Sequence, residues 1–164
     1  MTPDFGRVLT AMISPFTTDD ELDVEGAKTL AKWLVEQGNE GLVIAGTTGE
    51  SPTLTHEEQI NLIAAVVEAV DVPVIAGAGS NDTKTAVELT ERCTEVGASG
   101  ILTVTPYYNR PSQQGLLEHF SAIAKSTNLP VMLYDIPARS GRKIDTSTIL
   151  QLADEVENIV ALKD

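Results

Sequence analysis

The sequence predicts an α/β fold: a TIM-type (β/α)8 barrel, of which this chain covers about the first six strands and five helices. Six short apolar runs alternate with segments of helical length, and a new run begins about every 30 residues. The runs are apolar throughout, which is typical of parallel strands covered on both faces. Because a complete barrel needs about 250 residues, residues 1–164 are expected to form one incomplete barrel domain, truncated after strand six.

Turn and capping residues set the expected boundaries of these elements. Strands are expected at residues 8–13, 41–45, 73–77, 100–104, 130–134 and 159–162. Helices are expected over 24–37, from 56 to about 70, from a cap at Asn81 or Asp82 to Gly97, from Ser112 onwards, and from a cap at Asp145 to about Ala153. The first helix follows an N-cap at Asp23, and the second opens on a capping box in which Glu58 follows Thr55.

Regular alternation also permits a second architecture, the open doubly wound sheet. That fold usually carries a glycine-rich phosphate loop after an early strand. The candidate loop, residues 77–82, reads Gly-Ala-Gly-Ser-Asn-Asp and lacks the third glycine. The even repeat therefore favours the barrel over a phosphate-binding module.

Composition and charge argue against several functional classes. A net charge of −13 leaves no basic stripe for nucleic acid and opposes binding to an anionic membrane surface. The single cysteine, Cys93, permits no internal disulfide and is interpreted as a packing residue. His56 and His119 lack metal-ligand spacing, and each is expected on the surface or in a local hydrogen bond. No metal or cofactor is therefore predicted.

The sequence offers no targeting or membrane signal. The first residues lack the charged start and apolar core of a signal peptide. No apolar run approaches the roughly 18 residues of a membrane span. A cytoplasmic protein is therefore expected.

Chemically capable side chains follow the predicted strands, at the point where each strand ends. Loops that follow parallel strands gather on one rim, where sites are built. The residues that this rule places on the rim are Thr47, Thr48, Tyr107, Tyr108, Tyr134, Arg139 and Lys163. Lys163 is the candidate nucleophile, because it ends a strand that is expected to be buried.

These residue types suit the chemistry of a small keto acid. A lysine amine forms a Schiff base with a carbonyl, and burial disfavours the charged form of an amine. Tyrosine hydroxyls can move protons, threonine hydroxyls can bind a carboxylate, and arginine can hold a second carboxylate in a fork.

Each of these residue types also has a structural interpretation: a solvated lysine, packing aromatics, a tight Gly-Thr-Thr-Gly turn or a surface arginine. Glu50, Asp135 and Asp164 are interpreted as capping or solvated residues rather than bases. The functional interpretation is preferred because all these types fall on one rim.

Four motifs resemble those of the dihydrodipicolinate synthase and N-acetylneuraminate lyase family. They are Gly-Thr-Thr-Gly-Glu-Ser at 46–51, Thr-Pro-Tyr-Tyr-Asn-Arg-Pro at 105–111, Tyr-Asp-Ile-Pro-Ala-Arg-Ser-Gly at 134–141 and Val-Ala-Leu-Lys-Asp at 160–164. The resemblance spans the chain and keeps the motifs in order. It implies a homo-oligomer, a tetramer built as a dimer of dimers, and an enzyme of lysine and diaminopimelate biosynthesis.

The resemblance implies a role for each rim residue. Lys163 is expected to form the Schiff base with pyruvate, and Thr48 to bind the pyruvate carboxylate. Tyr134 is expected to donate and accept protons, linked through Thr47 to a Tyr108 that enters from a neighbouring subunit. Arg139 is expected to bind the carboxylate of aspartate 4-semialdehyde at the entrance. The expected product is 4-hydroxy-tetrahydrodipicolinate.

Two other functions are left open. One is a different pyruvate-dependent aldolase of the same family, acting on keto-deoxy-sugar acids or N-acetylneuraminate. Members that cleave sialic acid tend to carry Ser-Thr in place of Thr47 and Thr48 and to lack Arg139, which favours the condensation. The other is an inactive barrel fragment or scaffold.

Overall fold

The computed structural model describes residues 5–164 and confirms the alternation of strands and helices. The strands are β1 (Leu9–Ala11), β2 (Gly41–Ile44), β3 (Val74–Gly77), β4 (Gly100–Val104), β5 (Val131–Tyr134) and β6 (Ile159–Lys163). The helices are α1 (Val24–Glu36), α2 (His56–Ala69), α3 (Thr83–Glu95), α4 (Gln113–Lys125), α5 (Pro137–Ser140) and α6 (Thr146–Glu155), with a 3-10 turn at Ser51–Thr53. The single-turn helix α5 was not predicted.

The strand order follows the chain order, β1-β2-β3-β4-β5-β6. A doubly wound sheet reverses direction at a switch point, whereas a barrel adds every strand on the same side of the last. The order therefore confirms the barrel prediction and excludes the doubly wound alternative.

Two compact units divide the chain. The amino-terminal unit comprises residues 5–77 and 92–100, and the carboxyl-terminal unit comprises residues 78–91 and 101–164. In the amino-terminal unit β1, β2 and β3 pair in parallel. All four residues of β2 are buried, and α1 packs on α2. In the carboxyl-terminal unit β4, β5 and β6 pair in parallel, with a register irregularity between Val131 and Met132.

Local capping chemistry explains where the helices begin. Asp23 accepts a hydrogen bond from the Gly26 amide at 2.8 Å, which caps α1 as predicted. Thr55 forms the predicted capping box at α2. Of the two candidates for α3, Asp82 is the cap, because its carboxylate accepts from the Thr85 amide at 2.7 Å. Asp145 precedes α6 as expected, but its side chain makes no capping hydrogen bond.

Cys93 is a packing residue, as predicted. It is almost fully buried, and this burial raises the pKa of its thiol to about 12. The thiolate is the reactive form of cysteine, so this thiol is inert.

The prediction that β6 is a buried strand is wrong for two of its residues. Val160 is 39% exposed and Leu162 is 43% exposed, whereas Ile159 is buried. Val160 and Leu162 are two residues apart, so they lie on the same face of β6, opposite to Ile159.

His119 is part of the core of the carboxyl-terminal unit. It is 4% exposed, and its Nδ1 shares a hydrogen bond of 2.8 Å with the Thr83 hydroxyl. The Thr83 partner is 36 residues away in the sequence, so both expectations, a surface position and a local hydrogen bond, are wrong for His119. Burial lowers the pKa of the imidazole from 6.5 to about 4, against a small opposing effect of Asp82.

We expect His119 to make the fold acid-sensitive. Between pH 6.5 and about pH 4 the unfolded chain binds a proton at His119 that the folded chain does not. The stability linked to this histidine is therefore complete above pH 6.5 and is lost as the pH falls, by about 3 kcal/mol at most. Urea unfolding at pH 7 and pH 4.5 measures it. His119→Gln, which cannot titrate, should show a smaller loss, and an equal loss in both proteins would contradict the prediction.

Candidate active site

Strands β5 and β6 bring Tyr134 and Lys163 together. The two residues are register partners at the ends of their strands, so their side chains project from the same face of the sheet. The Lys163 Nζ atom lies 4.3 Å from the centroid of the Tyr134 ring. Tyr134 is 6% exposed and Lys163 is half-buried. A small molecule can therefore reach the amine beside a buried phenol.

Backbone bonds fix the ends of the three strands around this pair. The Thr105 amide and hydroxyl both donate to the Tyr134 carbonyl, at 2.9 and 3.1 Å. The Asp135 amide donates to the Lys163 carbonyl at 2.9 Å. Because the ends of β4, β5 and β6 are joined in this way, the relative position of Tyr134 and Lys163 is set by the sheet rather than by a loop.

Arg139 lies on α5, directly after β5. The turn begins at Pro137, which suits a first helical position, and ends at Gly141, whose φ of 72° is left-handed. The Ser140 hydroxyl lies 3.1 Å from the Ile136 carbonyl and 2.8 Å from the Arg142 carbonyl. Arg139 is exposed and forms no ion pair with any residue of the described range 5–164. Its guanidinium is therefore available to an anion.

Asp135 is the residue whose importance the sequence interpretation missed. It is 2% exposed, so the expectation of a capping or solvated carboxylate is wrong. Its two oxygens each lie 3.3 Å from the Ile144 amide nitrogen. Burial raises the pKa of this carboxyl, partly opposed by the Ile144 N–H. The available signal was its place in sequence, an acid between the apolar residues Tyr134 and Ile136 at a strand end.

The loop after β4 points Tyr108 into solvent. Tyr108 is 90% exposed and has a φ of 72°, and Arg110 has a φ of 48°. Such left-handed residues persist only where their surroundings hold them. Here Asn81 Nδ2 donates to the Tyr107 carbonyl at 3.2 Å, and Asn109 Nδ2 donates to the Asn81 carbonyl at 2.9 Å. Within residues 5–164, Tyr108 makes no hydrogen bond or ring contact with Tyr134 or Lys163.

Thr47 and Thr48 belong to the amino-terminal unit, where both are exposed on the loop after β2. The buried Ser14 hydroxyl donates to the Gly49 carbonyl at 2.6 Å and holds this loop. Gly77 allows a close approach, because a Cβ there would lie 2.2 Å from the Ala45 carbonyl oxygen. The loop is therefore a fixed turn that presents two hydroxyls.

Across residues 5–164 no group of three His, Cys, Asp or Glu side chains could hold a metal ion. In the same range, no helix has the length and apolar character needed to cross a membrane.

Comparison with known proteins assigns the chain to a family. The model of the dihydrodipicolinate synthetase family matches residues 4–164. The 4-hydroxy-tetrahydrodipicolinate synthase of Moorella thermoacetica is 54% identical over 162 residues, which are 98% of this chain and 55% of that protein. The chain thus spans about half the length of the curated relatives it matches.

Solved structures agree with this assignment. The crystal structure of the synthase from Cyanidioschyzon merolae, with lysine bound, superposes with a TM-score of 0.96 at 47% identity and covers 98% of this chain and 55% of that chain. The chloride-inhibited synthase from Acinetobacter baumannii, complexed with pyruvate, gives a TM-score of 0.92 at 40% identity, with 96% of this chain and 54% of that chain covered. The chain belongs to the dihydrodipicolinate synthetase family.

Proposed function

We propose that the protein condenses pyruvate with aspartate 4-semialdehyde and that Lys163 forms a Schiff base with the pyruvate. The proposal rests on the position of the Lys163 amine at the carboxyl end of β6. The amine is half-buried and lies 4.3 Å from the centre of the Tyr134 ring. A reactive amine next to a phenol is the pairing that carbinolamine chemistry needs. The relative complexed with pyruvate supports the choice of first substrate.

The proposed reaction passes through an imine and an enamine at Lys163. The Lys163 amine attacks the keto carbon of pyruvate, and loss of one water gives the imine. Loss of a methyl proton gives the enamine, whose carbon attacks the aldehyde carbon of the second substrate. The amino group of that substrate then attacks the imine carbon and releases Lys163. Tyr134 donates and accepts the protons of these steps, and the product is 4-hydroxy-tetrahydrodipicolinate.

Three further residues bind substrate carboxylates or relay protons. Thr48 binds the pyruvate carboxylate, and Thr47 links Tyr134 to Tyr108. Both threonine hydroxyls are exposed on a fixed turn, which supports these roles. Arg139, exposed and without an ion-pair partner in the described chain, binds the carboxylate of the aldehyde. A planar guanidinium suits this two-point contact.

The assembly is a homo-oligomer, a tetramer built as a dimer of dimers in the cytoplasm. The exposure of Tyr108 supports this proposal, because a tyrosine that is 90% exposed contributes little to its own subunit. Its left-handed backbone carries a strain of about 1–3 kcal/mol, which is consistent with a residue held for use elsewhere. Tyr108 therefore enters the site of a neighbouring copy.

Mixing two impaired variants tests the shared site. Tyr108→Phe lacks the relay hydroxyl and should lose about a hundredfold in activity, whereas Lys163→Ala lacks the nucleophile and should lose about a thousandfold or more. A mixed dimer contains one site with both residues, so random exchange of subunits should restore about a quarter of the unaltered activity. Failure to recover activity, with mixed oligomers present by native mass spectrometry, would contradict the shared site.

Proton exchange on pyruvate tests the function as a whole. In D2O the enamine should exchange the methyl protons of pyruvate for deuterium, which NMR detects. Adding aspartate 4-semialdehyde should then consume both substrates in equal amounts. Exchange without this consumption, together with cleavage of N-acetylneuraminate or a keto-deoxy-sugar acid, would assign the chain to a related aldolase.

The exposed face of β6 favours one other candidate, a scaffold that associates without catalysis. Val160 and Leu162 both project from this end strand into solvent. A folded chain that exchanges no pyruvate protons, but forms a stable complex through this strand, would support that alternative.

A further inference from the structure

Asp135 connects the end of β5 to the segment that carries Arg139. Each of its carboxylate oxygens lies 3.3 Å from the amide nitrogen of Ile144, nine residues further along the chain. This bond closes residues 136–143 into a loop whose two ends meet at one point. Both ends are buried, because Asp135 is almost inaccessible and Ile144 is fully inaccessible.

Helix α4 holds the far end of the same segment. Gln113 Nε2 donates to the Lys143 carbonyl at 2.9 Å, and Gln113 Oε1 accepts from the Asp145 amide at 3.0 Å. Within the segment, the Ser140 hydroxyl lies between the Ile136 and Arg142 carbonyls. The loop therefore has a single well-defined backbone path.

This backbone path sets the place of Arg139. Its side chain is exposed and makes no ion pair with the described residues. If the Asp135 acceptor is removed, the Ile144 N–H is left unpaired in a buried place, and the segment must move to satisfy it. Movement of the segment displaces the guanidinium.

We propose that Asp135 is a positioning residue for Arg139. Its carboxylate acts as a hydrogen-bond acceptor, not as a base, because it lies buried between the Ile144 N–H and the Thr105 hydroxyl. It holds Arg139 where the guanidinium meets the carboxylate of the second substrate. This role rests on the proposed function of Arg139.

Kinetics of four variants test the proposal. Asp135→Ala should raise the KM for aspartate 4-semialdehyde about tenfold, while pyruvate capture at Lys163 stays within about twofold of the unaltered chain. Asp135→Asn keeps an acceptor oxygen and should restore the KM. Arg139→Ala should raise the KM at least as much, and the double variant should be no worse than Arg139→Ala alone. A general loss of structure would impair both substrates alike.

Asp145→Asn is the matched control, because Asp145 is an exposed carboxylate near the same segment without a capping bond. It should leave both substrates unaffected. The proposal is overturned if Asp135→Asn is as impaired as Asp135→Ala, if Asp135→Ala binds the aldehyde normally, or if its effect adds fully to that of Arg139→Ala.

Amide hydrogen exchange provides a readout that needs neither turnover nor a folded alanine variant. The Ile144 amide should exchange slowly in the unaltered chain and in Asp135→Asn. If that amide exchanges rapidly in the unaltered chain while the amides of β5 stay protected, the hydrogen bond between Asp135 and Ile144 does not hold the loop and the proposal is overturned. If the chain captures no pyruvate but its Ile144 amide exchanges slowly, the proposed function is refuted, whereas the hydrogen bond between Asp135 and Ile144 is supported.

Discussion

Replacing Lys163 with alanine is expected to abolish covalent capture of pyruvate and to lower turnover by about a thousandfold or more. In the proposed mechanism the amine supplies the atom that bonds to the keto carbon, and no other described lysine lies over the Tyr134 ring. Lys163→Arg should be equally inactive, because a guanidinium stays protonated and forms no imine. Stability should change little, since the side chain is half-buried on the end strand.

The measurement for Lys163 is steady-state turnover together with borohydride trapping followed by mass spectrometry. Lys125→Ala is the matched control, because Lys125 is an exposed lysine in the last turn of α4. It should trap pyruvate as the unaltered chain does. Turnover by Lys163→Ala within tenfold of the unaltered chain would rule out the Schiff-base mechanism.

Replacing Tyr134 with phenylalanine should slow formation of the pyruvate adduct by about a hundredfold or more. The substitution keeps the ring beneath the amine, so the packing and the cation–π contact survive. It removes the hydroxyl, which is the group proposed to protonate the carbinolamine and release water. The rate of trapping in single-turnover experiments should therefore fall while the melting temperature stays close to that of the unaltered chain.

Tyr107→Phe is the comparison for Tyr134, because Tyr107 is a tyrosine in the neighbouring loop that is exposed and has no proposed proton role. It should react at close to the unaltered rate. Equal rates for Tyr134→Phe and the unaltered chain would show that another group carries the protons.

Much of the fold could be predicted because capping residues and apolar runs mark the ends of helices and strands in the sequence. Asp23 and the Thr55–Glu58 box mark the helix starts in the sequence, and each forms the expected bonds. The fourth strand occupies Gly100–Val104 as predicted, since its apolar run is bounded by a glycine and a proline-containing loop. The rule that parallel strands end on one rim places Tyr134 and Lys163 on the same rim, and the structure adds that they are register partners.

The features that could not be predicted depend on tertiary context. The sequence marks Asp135 as a polar residue but does not show that Ile144 returns to meet it. The environment of His119 could not be predicted either, because its burial depends on how α4 packs and its hydrogen-bond partner, Thr83, is distant in the sequence. The exposure of Leu162 depends on what packs against its face of β6, which the apolar run does not encode.

Borohydride reduction of the unaltered chain in the presence of pyruvate is the most direct test of the proposed chemistry. A Schiff base at Lys163 should be reduced to a stable secondary amine, and peptide mapping should place the added mass on Lys163 alone. A folded chain that gains no mass, or that gains it on another lysine such as Lys28 or Lys143, would contradict the assignment of Lys163 as the nucleophile.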